Sequence, residues 1–518
     1  MENPQKEEQK TTESIINTEK IINSRLDKIL NWVKQPSNAA LVGIILLALI
    51  IRISYFILTK NQPLWWDEAE YMLKAKNIAF GIPDPSWWFG RPILFPFITA
   101  IFLKIGIGEL GIRVLWMLMS VANVYMVYYL GKNLLNKRAG IIASFIMAVS
   151  YIEIFYMARL LVNLPEVFFI LLALCFFINA EFLGKSKKYI WFVLPILMLG
   201  TLIRFTVGLG IMLLLLYLLV TKGFAFLKAK EWYISLGLSL IAFLPYGIYS
   251  WIRFKNPLYV ILTVLSGSAG DRSAQDTPFN VFMQYIQYLP NYTHIILYSL
   301  FLAGAIILLF NLIIAIDKIR QEKSVKTNFL IFLSFIIPLI YFGFFVNHFE
   351  DRYLAMAMPF MFIIIAYGLD LIYSLIKKYI GKIIAIGFII LLLFFTGYQM
   401  YLHSDYIVKE KVESYNDLRR IGIWMKANSD INDSIISAGM PEIGYYSERA
   451  VYPHALNISA ERDLIEQKNA KYIVLTNWEK SPDWTYAFFS NQSEYSLVFQ
   501  STSLYRGNQM FAAVFSVR

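Results

Sequence analysis

The sequence predicts a polytopic α-helical membrane protein of about eleven transmembrane helices, carrying a C-terminal extracytoplasmic α/β domain. Three observations carry that prediction. Of 518 residues, 58% are hydrophobic and only 16% charged, against about a quarter charged in ordinary soluble domains. Eleven apolar stretches recur before residue 403, each near the roughly 20 residues that a bilayer-spanning helix needs. The remaining polar sequence gathers in one piece at the C-terminal end. The same facts exclude a soluble enzyme, a β-barrel and a single-pass receptor.

Residues 1–40 read as a cytoplasmic tail. Its first thirteen residues are charged, after which Ile15, Ile16, Ile21, Ile22, Leu26, Ile29, Leu30 and Val33 recur at helical spacing, as in an amphipathic helix lying on the inner leaflet. This polar stretch precedes the first apolar run, so no cleavable signal peptide is expected.

Residues 41–402 form the transmembrane module, with spans at 41–58, 112–130, 139–157, 165–182, 189–203, 205–220, 232–249, 295–316, 329–346, 354–376 and 383–401. The first outer loop is 59–111. Alternate connections are basic: Lys132, Lys137 and Arg138; Lys185, Lys187 and Lys188; Lys222, Lys228 and Lys230; Lys318, Arg320, Lys323 and Lys326; Lys377, Lys378 and Lys382. That alternation is the positive-inside pattern with the N-terminus in the cytoplasm. Fusing 189–203 with 205–220 would put three basic connections outside, so the chain is read as broken near Arg204.

Eleven spans leave residues 403–518 outside the cytoplasm. There, helical patterns at 415–428 and 459–468 alternate with strand-like runs at 434–437, 472–476, 495–499 and 510–517. This is the signature of a small α/β domain.

The net charge of +11 resides mostly in the basic connections, so it reports membrane orientation rather than nucleic acid. A single cysteine, Cys175, excludes an intrachain disulfide or a Cys-based zinc site. The four histidines form no H-E-x-x-H pattern. No Walker A sequence, dinucleotide fingerprint or paired cytoplasmic carboxylates are present, which argues against a nucleotide-activated donor. Chemistry outside the cytoplasm then needs an activated substrate delivered in the membrane, for which a phosphate-linked lipid is the natural carrier.

Charges at membrane depth cost about 2.5–3.5 kcal/mol each and persist where they pair or work. They collect in the outer half: Arg52, Asp67, Glu68, Glu70, Arg91, Glu153, Arg159, Glu166, Arg204 and the loop 347–353, which holds His348, Glu350 and Arg352. The outer loops favour arginine, whose planar fork suits phosphate or carboxylate.

Each cluster has two readings. Asp67 and Glu68 would be carboxylates placed to take a proton from an acceptor hydroxyl; alternatively Asp67 caps a helix running to Gly81, with Glu70 completing a capping box. Arg91 would grip a lipid phosphate or anchor a turn against anionic headgroups. His348, Glu350 and Arg352 would serve a site or satisfy one another. Glu166, just after Pro165, would be a second acidic site or simply complement the helix dipole, with Asn163 as cap.

The ordered set W-W-D-E-A-E-Y (65–71), R-P-I-L-F-P (91–96), Arg113, A-R-L-L-V-N-L-P-E (158–166) and H-F-E-D-R-Y-L-A-M-A-M-P (348–359) resembles the GT-C glycosyltransferases. The likeness is to the protein O-mannosyltransferase and aminoarabinose transferase branch. It covers about residues 41–402. It implies an inverting membrane enzyme that moves a sugar from a dolichyl- or undecaprenyl-phosphate donor to an extracytoplasmic glycan, protein or lipid acceptor, as in protein glycosylation or cell-envelope assembly.

By the same resemblance Asp67 matches the catalytic aspartate and Glu68 its acidic neighbour. Arg91 and Arg352 match basic residues facing the lipid phosphate; independently of the resemblance, Arg159 and Arg204 stand behind them as cations for the growing phosphate charge, and His348 is a further donor-site candidate. Either Glu166 or Asn163 matches the acidic residue after the third span. A divalent metal occurs in some branches of that family and not in others. The alternative reading is a transporter or flippase of an anionic lipid-linked sugar, using the same outward arginines without chemistry.

Overall fold

The computed structural model describes residues 27–28, 30–265, 277–491 and 494–517. Most of the predicted amphipathic helix, including Ile15, Ile16, Ile21, Ile22, Leu26 and Ile29, lies outside the described residues.

Among the described residues, nine helices are long and apolar enough to cross a bilayer, and a tenth span is bent by 46° between Lys137–Val149 and Tyr151–Ala158. All eleven apolar segments appear as helices in the predicted order, but only part of segment 189–203 is α-helical. It consists of a 3-10 turn, Lys187–Phe192, leading into the helix Val193–Thr201. The chain turns at Arg204, whose backbone is extended (φ −150°, ψ 123°) and whose side chain pairs with Glu166 at 3.0 Å.

The bend in the third span falls at Ser150, whose extended backbone (φ −67°, ψ 133°) frees the carbonyls before it. Arg52 takes them up, donating to the carbonyls of Ala148 and Met147. Its Nε donates to Ser120 Oγ at 3.0 Å, and Ser120 and Asn123 in turn donate to Glu153 at 2.8 and 3.2 Å. The charges of Arg52 and Glu153 are thus closed on one another inside the bundle.

Small residues let helices touch backbone to backbone. A Cβ on Gly140 would stand 2.6 Å from the Tyr128 carbonyl, and one on Gly304 2.6 Å from that of Ile364. At one end of the bundle Arg138 pairs with Asp370 at 2.6 Å and Lys222 with Glu181. At the other, Asn163 donates to the Arg352 carbonyl at 3.0 Å and Gln62 to that of Ala158.

The last span, Lys382–Lys411, runs unbroken past residue 402 into the polar region. Beyond it a five-stranded sheet has the order β2-β1-β3-β5-β4, where β1 is Ser434–Ser437, β2 Ala450–Tyr452, β3 Ala470–Thr476, β4 Tyr495–Tyr505 and β5 Asn508–Val517. β1 is parallel to β2 and β3, and β5 is antiparallel to β3 and β4.

Alternation along the strands gives each face its own core. Ile435, Val474 and Val514 pack with Leu418, Ile421 and Met425 of the helix Asn416–Asn428. Ile436, Ile473 and Phe515 pack with Ile465 and Phe489 on the other side. The helices Met440–Ser447 and Asp483–Asn491 and the short β2 add to the elements read from sequence.

Met440–Ser447 docks the domain onto the segment 59–111 between the first two predicted spans. Tyr446 accepts from the Leu64 amide at 3.0 Å, Tyr445 donates to Glu109 at 3.0 Å, and Lys76 pairs with Glu448 at 2.8 Å.

Candidate active site

The helix Trp66–Phe80 begins at the W-W-D-E segment and ends at Gly81, whose φ of 75° favours glycine. Its first turn is capped by Glu68, which accepts from the Trp65 amide at 2.8 Å. The expected cap of Asp67 with Glu70 is therefore two residues too late, because the helix starts at Trp66 and Glu68 falls on its third residue. Asp67 is released from capping.

Glu68 is also turned into the protein. Its carboxylate accepts from the Leu160 amide at 2.5 Å and from Arg159 at 3.2 Å, and its side chain is fully buried. Arg159 reaches the Pro63 and Lys411 carbonyls as well, at 3.0 and 3.1 Å, and lies 3.8 Å from the Trp65 ring centre. The expectations of Glu68 as a second catalytic carboxylate and Arg159 as a phosphate ligand do not fit this geometry. The pair bolts the segment 59–111 to the end of the last span.

Asp67 points the other way. Arg91 Nη2 stands 2.6 Å from one oxygen and Arg352 Nη1 2.7 Å from the other. Arg91 pairs in addition with Glu70 at 2.7 Å, and Arg352 with Glu350. The result is a chain of alternating charge, Glu70–Arg91–Asp67–Arg352–Glu350. Arg91 lies against the Tyr71 ring and stands behind Asp67, so it holds the carboxylate rather than an open phosphate site.

Electrostatics follow from the pairing. Burial works to raise the Asp67 pKa, but the two guanidinium groups outweigh it and hold the carboxyl well below its ordinary value. For Glu70 burial prevails over Arg91 and lifts the group to about 7. Glu350 is pushed up by burial, yet the His348 hydrogen bond and Arg352 bring it down to about 2.

The other candidates flank this chain. His348 contacts the Tyr353 hydroxyl at 3.0 Å and lies 3.5 Å from Glu350. Glu166 is buried under Arg204 and accepts from Thr206; Arg204 lies 5.1 Å from the Tyr353 ring centre. Asn163 does not cap its helix: Val162 occupies the cap, and the Asn163 amide instead supports the Arg352 carbonyl. Among the described residues no three His, Cys, Asp or Glu side chains form a metal-holding group.

Asp67, Glu350 and Arg352 line a cavity of about 850 Å³. Its wall is rich in aromatic side chains, including Trp65, Trp66, Tyr151, Tyr156 and Tyr415. Sequence reasoning missed the contribution from beyond the bundle: Glu410 and Lys411 at the end of the last span, Glu479 after β3, and Arg506 at the β4–β5 turn. The only sequence signal for Arg506 was its place before Gly507, which marks a hairpin turn.

Residues 90–249 match the family model described as dolichyl-phosphate-mannose-protein mannosyltransferase. No curated protein matched the sequence. Among solved structures, the apo oligosaccharyltransferase of Archaeoglobus fulgidus is similar at a TM-score of 0.63 and 14% identity, over 86% of this chain and 70% of that one. ArnT from Cupriavidus metallidurans bound to undecaprenyl phosphate is similar at 0.62 and 11% identity, over 91% of this chain and 97% of that one. AglB of Archaeoglobus fulgidus, in complex with an inhibitory peptide and a dolichol-phosphate, gives 0.61 and 14% identity, over 86% and 70%. The fold is that of the GT-C membrane enzymes.

Proposed function

We propose that the protein is an inverting glycosyltransferase that takes a sugar from a polyprenyl-phosphate donor and joins it to an extracytoplasmic acceptor. The lysine-rich end of the bundle then faces the cytoplasm and the cavity opens outward. One observation carries the reading: the Asp67 carboxylate, clamped between Arg91 and Arg352, on the wall of an aromatic-lined cavity. The family match and the GT-C fold support the reaction class.

The acceptor oxygen attacks the anomeric carbon opposite the departing phosphate. A carbon–oxygen bond forms to the acceptor, the bond to phosphate oxygen breaks, and the electron pair leaves with the phosphate. Asp67 takes the acceptor proton, as the base does in inverting sugar chemistry. It is ionised before the reaction, since its two arginines hold it charged.

Arg352 has a second task. As negative charge grows on the leaving phosphate, a guanidinium aimed at it stabilises the transition state more than the ground state. Any share of Arg352 drawn toward phosphate loosens its hold on Asp67, and the base gains strength when it is needed. Trp and Tyr faces suit the apolar faces of a sugar, while their edges and hydroxyls remain polar.

Asp67→Asn tests the base. Transfer from a polyprenyl-phosphate sugar should fall by at least ~10²-fold, while the protein still inserts and keeps its melting temperature. Full activity in that variant overturns the assignment. Purified wild-type protein given donor and acceptor should release free polyprenyl phosphate; movement of intact lipid-linked sugar without release would instead support the flippase reading.

A further inference from the structure

Three basic side chains line the cavity: Arg352, Lys411 and Arg506. Two of them are already spent. Arg352 is shared by Asp67 and Glu350, and Arg506 grips Glu410 through Nε and Nη2 at 2.9 and 2.6 Å. Lys411 makes no ion pair among the described residues. Its ammonium lies 5.2 Å from the Trp65 ring centre and 5.3 Å from that of Phe155.

The two remaining carboxylates of the wall are answered by phenols. Tyr156 and Tyr151 donate to Asp351 at 3.1 and 3.4 Å, and Tyr415 donates to Glu479 at 2.8 Å. Ring faces attract an ammonium but offer it no hydrogen-bond acceptor, so its three donors stay uncommitted. The backbone beneath it is fixed, because the Lys411 carbonyl accepts from Arg159 and from Ser414 at 3.1 and 2.7 Å. An anion reaching Arg352 must compete with two carboxylates; one reaching Lys411 displaces none.

A second cavity, of about 490 Å³, adjoins the first and shares Tyr151, Tyr288 and Ile407 with it. It continues past Gln399, Met400 and His403 on the same helix that ends at Lys411. At a rise of about 1.5 Å per residue, Gln399 lies roughly 18 Å below Lys411 along the helix. That hollow makes a passage along the last span toward the wall that holds Lys411.

We infer that Lys411 binds the phosphate of the lipid-linked donor, with the lipid chain leaving through the passage beside His403. The inference rests on the glycosyltransferase reading only in naming the lipid as donor; the binding itself would hold for a flippase as well. A charge-assisted contact of this kind can be read by equilibrium binding without turnover.

The test uses the full-length protein in detergent, with undecaprenyl phosphate and undecaprenol as probes. Lys411→Gln should weaken undecaprenyl phosphate binding about tenfold or more, whereas Lys411→Arg should retain it and neither should change undecaprenol binding. Unchanged phosphate binding in Lys411→Gln overturns the inference. So does a loss of phosphate and alcohol binding together, or a wild type that does not bind undecaprenyl phosphate. Binding that follows the charge at position 411, in a protein that transfers no sugar, would leave the inference standing and remove the glycosyltransferase reading.

Discussion

Asp67 and Glu68 are neighbours in sequence and belong to two different regions. Glu68 and Arg159 are sealed, with 0% and 1% of their side chains exposed, whereas Asp67 and Arg352 keep 22% and 21%. Both pairs join a carboxylate to a guanidinium from a distant segment. The sealed pair has its carboxylate oxygens occupied by Arg159 and two backbone amides, so no substrate can enter. The open pair faces a cavity, and a ligand can take over part of its charge. Exposure, rather than charge type, separates the strut from the group we propose as the base.

The largest effect should come from breaking the seal. Glu68→Ala leaves Arg159 charged and buried without its counterion, which typically costs about 3–5 kcal/mol. Chemical or thermal unfolding in detergent should show that loss, while the molecules that remain folded keep their specific activity. A variant that is stable but inactive would place Glu68 with the chemistry and erase the distinction.

Next comes the open side. Arg352→Met should lower transfer by roughly 10²–10³-fold, about 2.7–4 kcal/mol in the barrier. Its melting temperature should move far less than that of Glu68→Ala. The reverse ranking would mean that Arg352 is a strut and that the cavity is not where charge develops.

Much of the fold was legible because hydropathy and basic-loop bias are local signals, and they gave the order and alternation of the helical segments. The bend at Ser150 was not legible, since the apolar run continues through it and only the carbonyls taken by Arg52 reveal the break. The short helix Met440–Ser447 and the three-residue β2 carry too few residues for a period to show.

Within the site, the structure brings Asp67, Arg91 and Arg352 together. The separate fate of Glu68 depends on Arg159, 91 positions away in sequence, and no local pattern encodes that. Arg506 enters the cavity only because the C-terminal domain folds back over the segment 59–111, and Lys411 because the last span runs on past residue 402.

Glu70 is the intermediate case and gives the smallest, sharpest test. It is buried like the sealed pair, with 3% of its side chain exposed, yet it shares Arg91 with Asp67. Burial raises its pKa to about 7, above the ~4.3 of an unfolded glutamate. Between those values the folded protein holds the extra proton, so stability is greatest at the acidic end of the window and falls as pH rises through 7. The linkage relation gives about 1.4 kcal/mol lost between pH 6 and 8 from this one group, and Glu70→Gln should abolish that loss in unfolding measurements. Activity should run in the opposite direction. Below pH 7 a neutral Glu70 leaves Arg91 to Asp67 alone and weakens the base; above it, ionised Glu70 draws Arg91 back and the base strengthens. Asp67 itself stays ionised throughout this range, its pKa lying well below the ordinary value. The pH profile of kcat/KM should therefore rise through pH 7 in the wild type and flatten in Glu70→Gln, and an unchanged inflection in that variant would cut the link between the buried carboxyl and the exposed one.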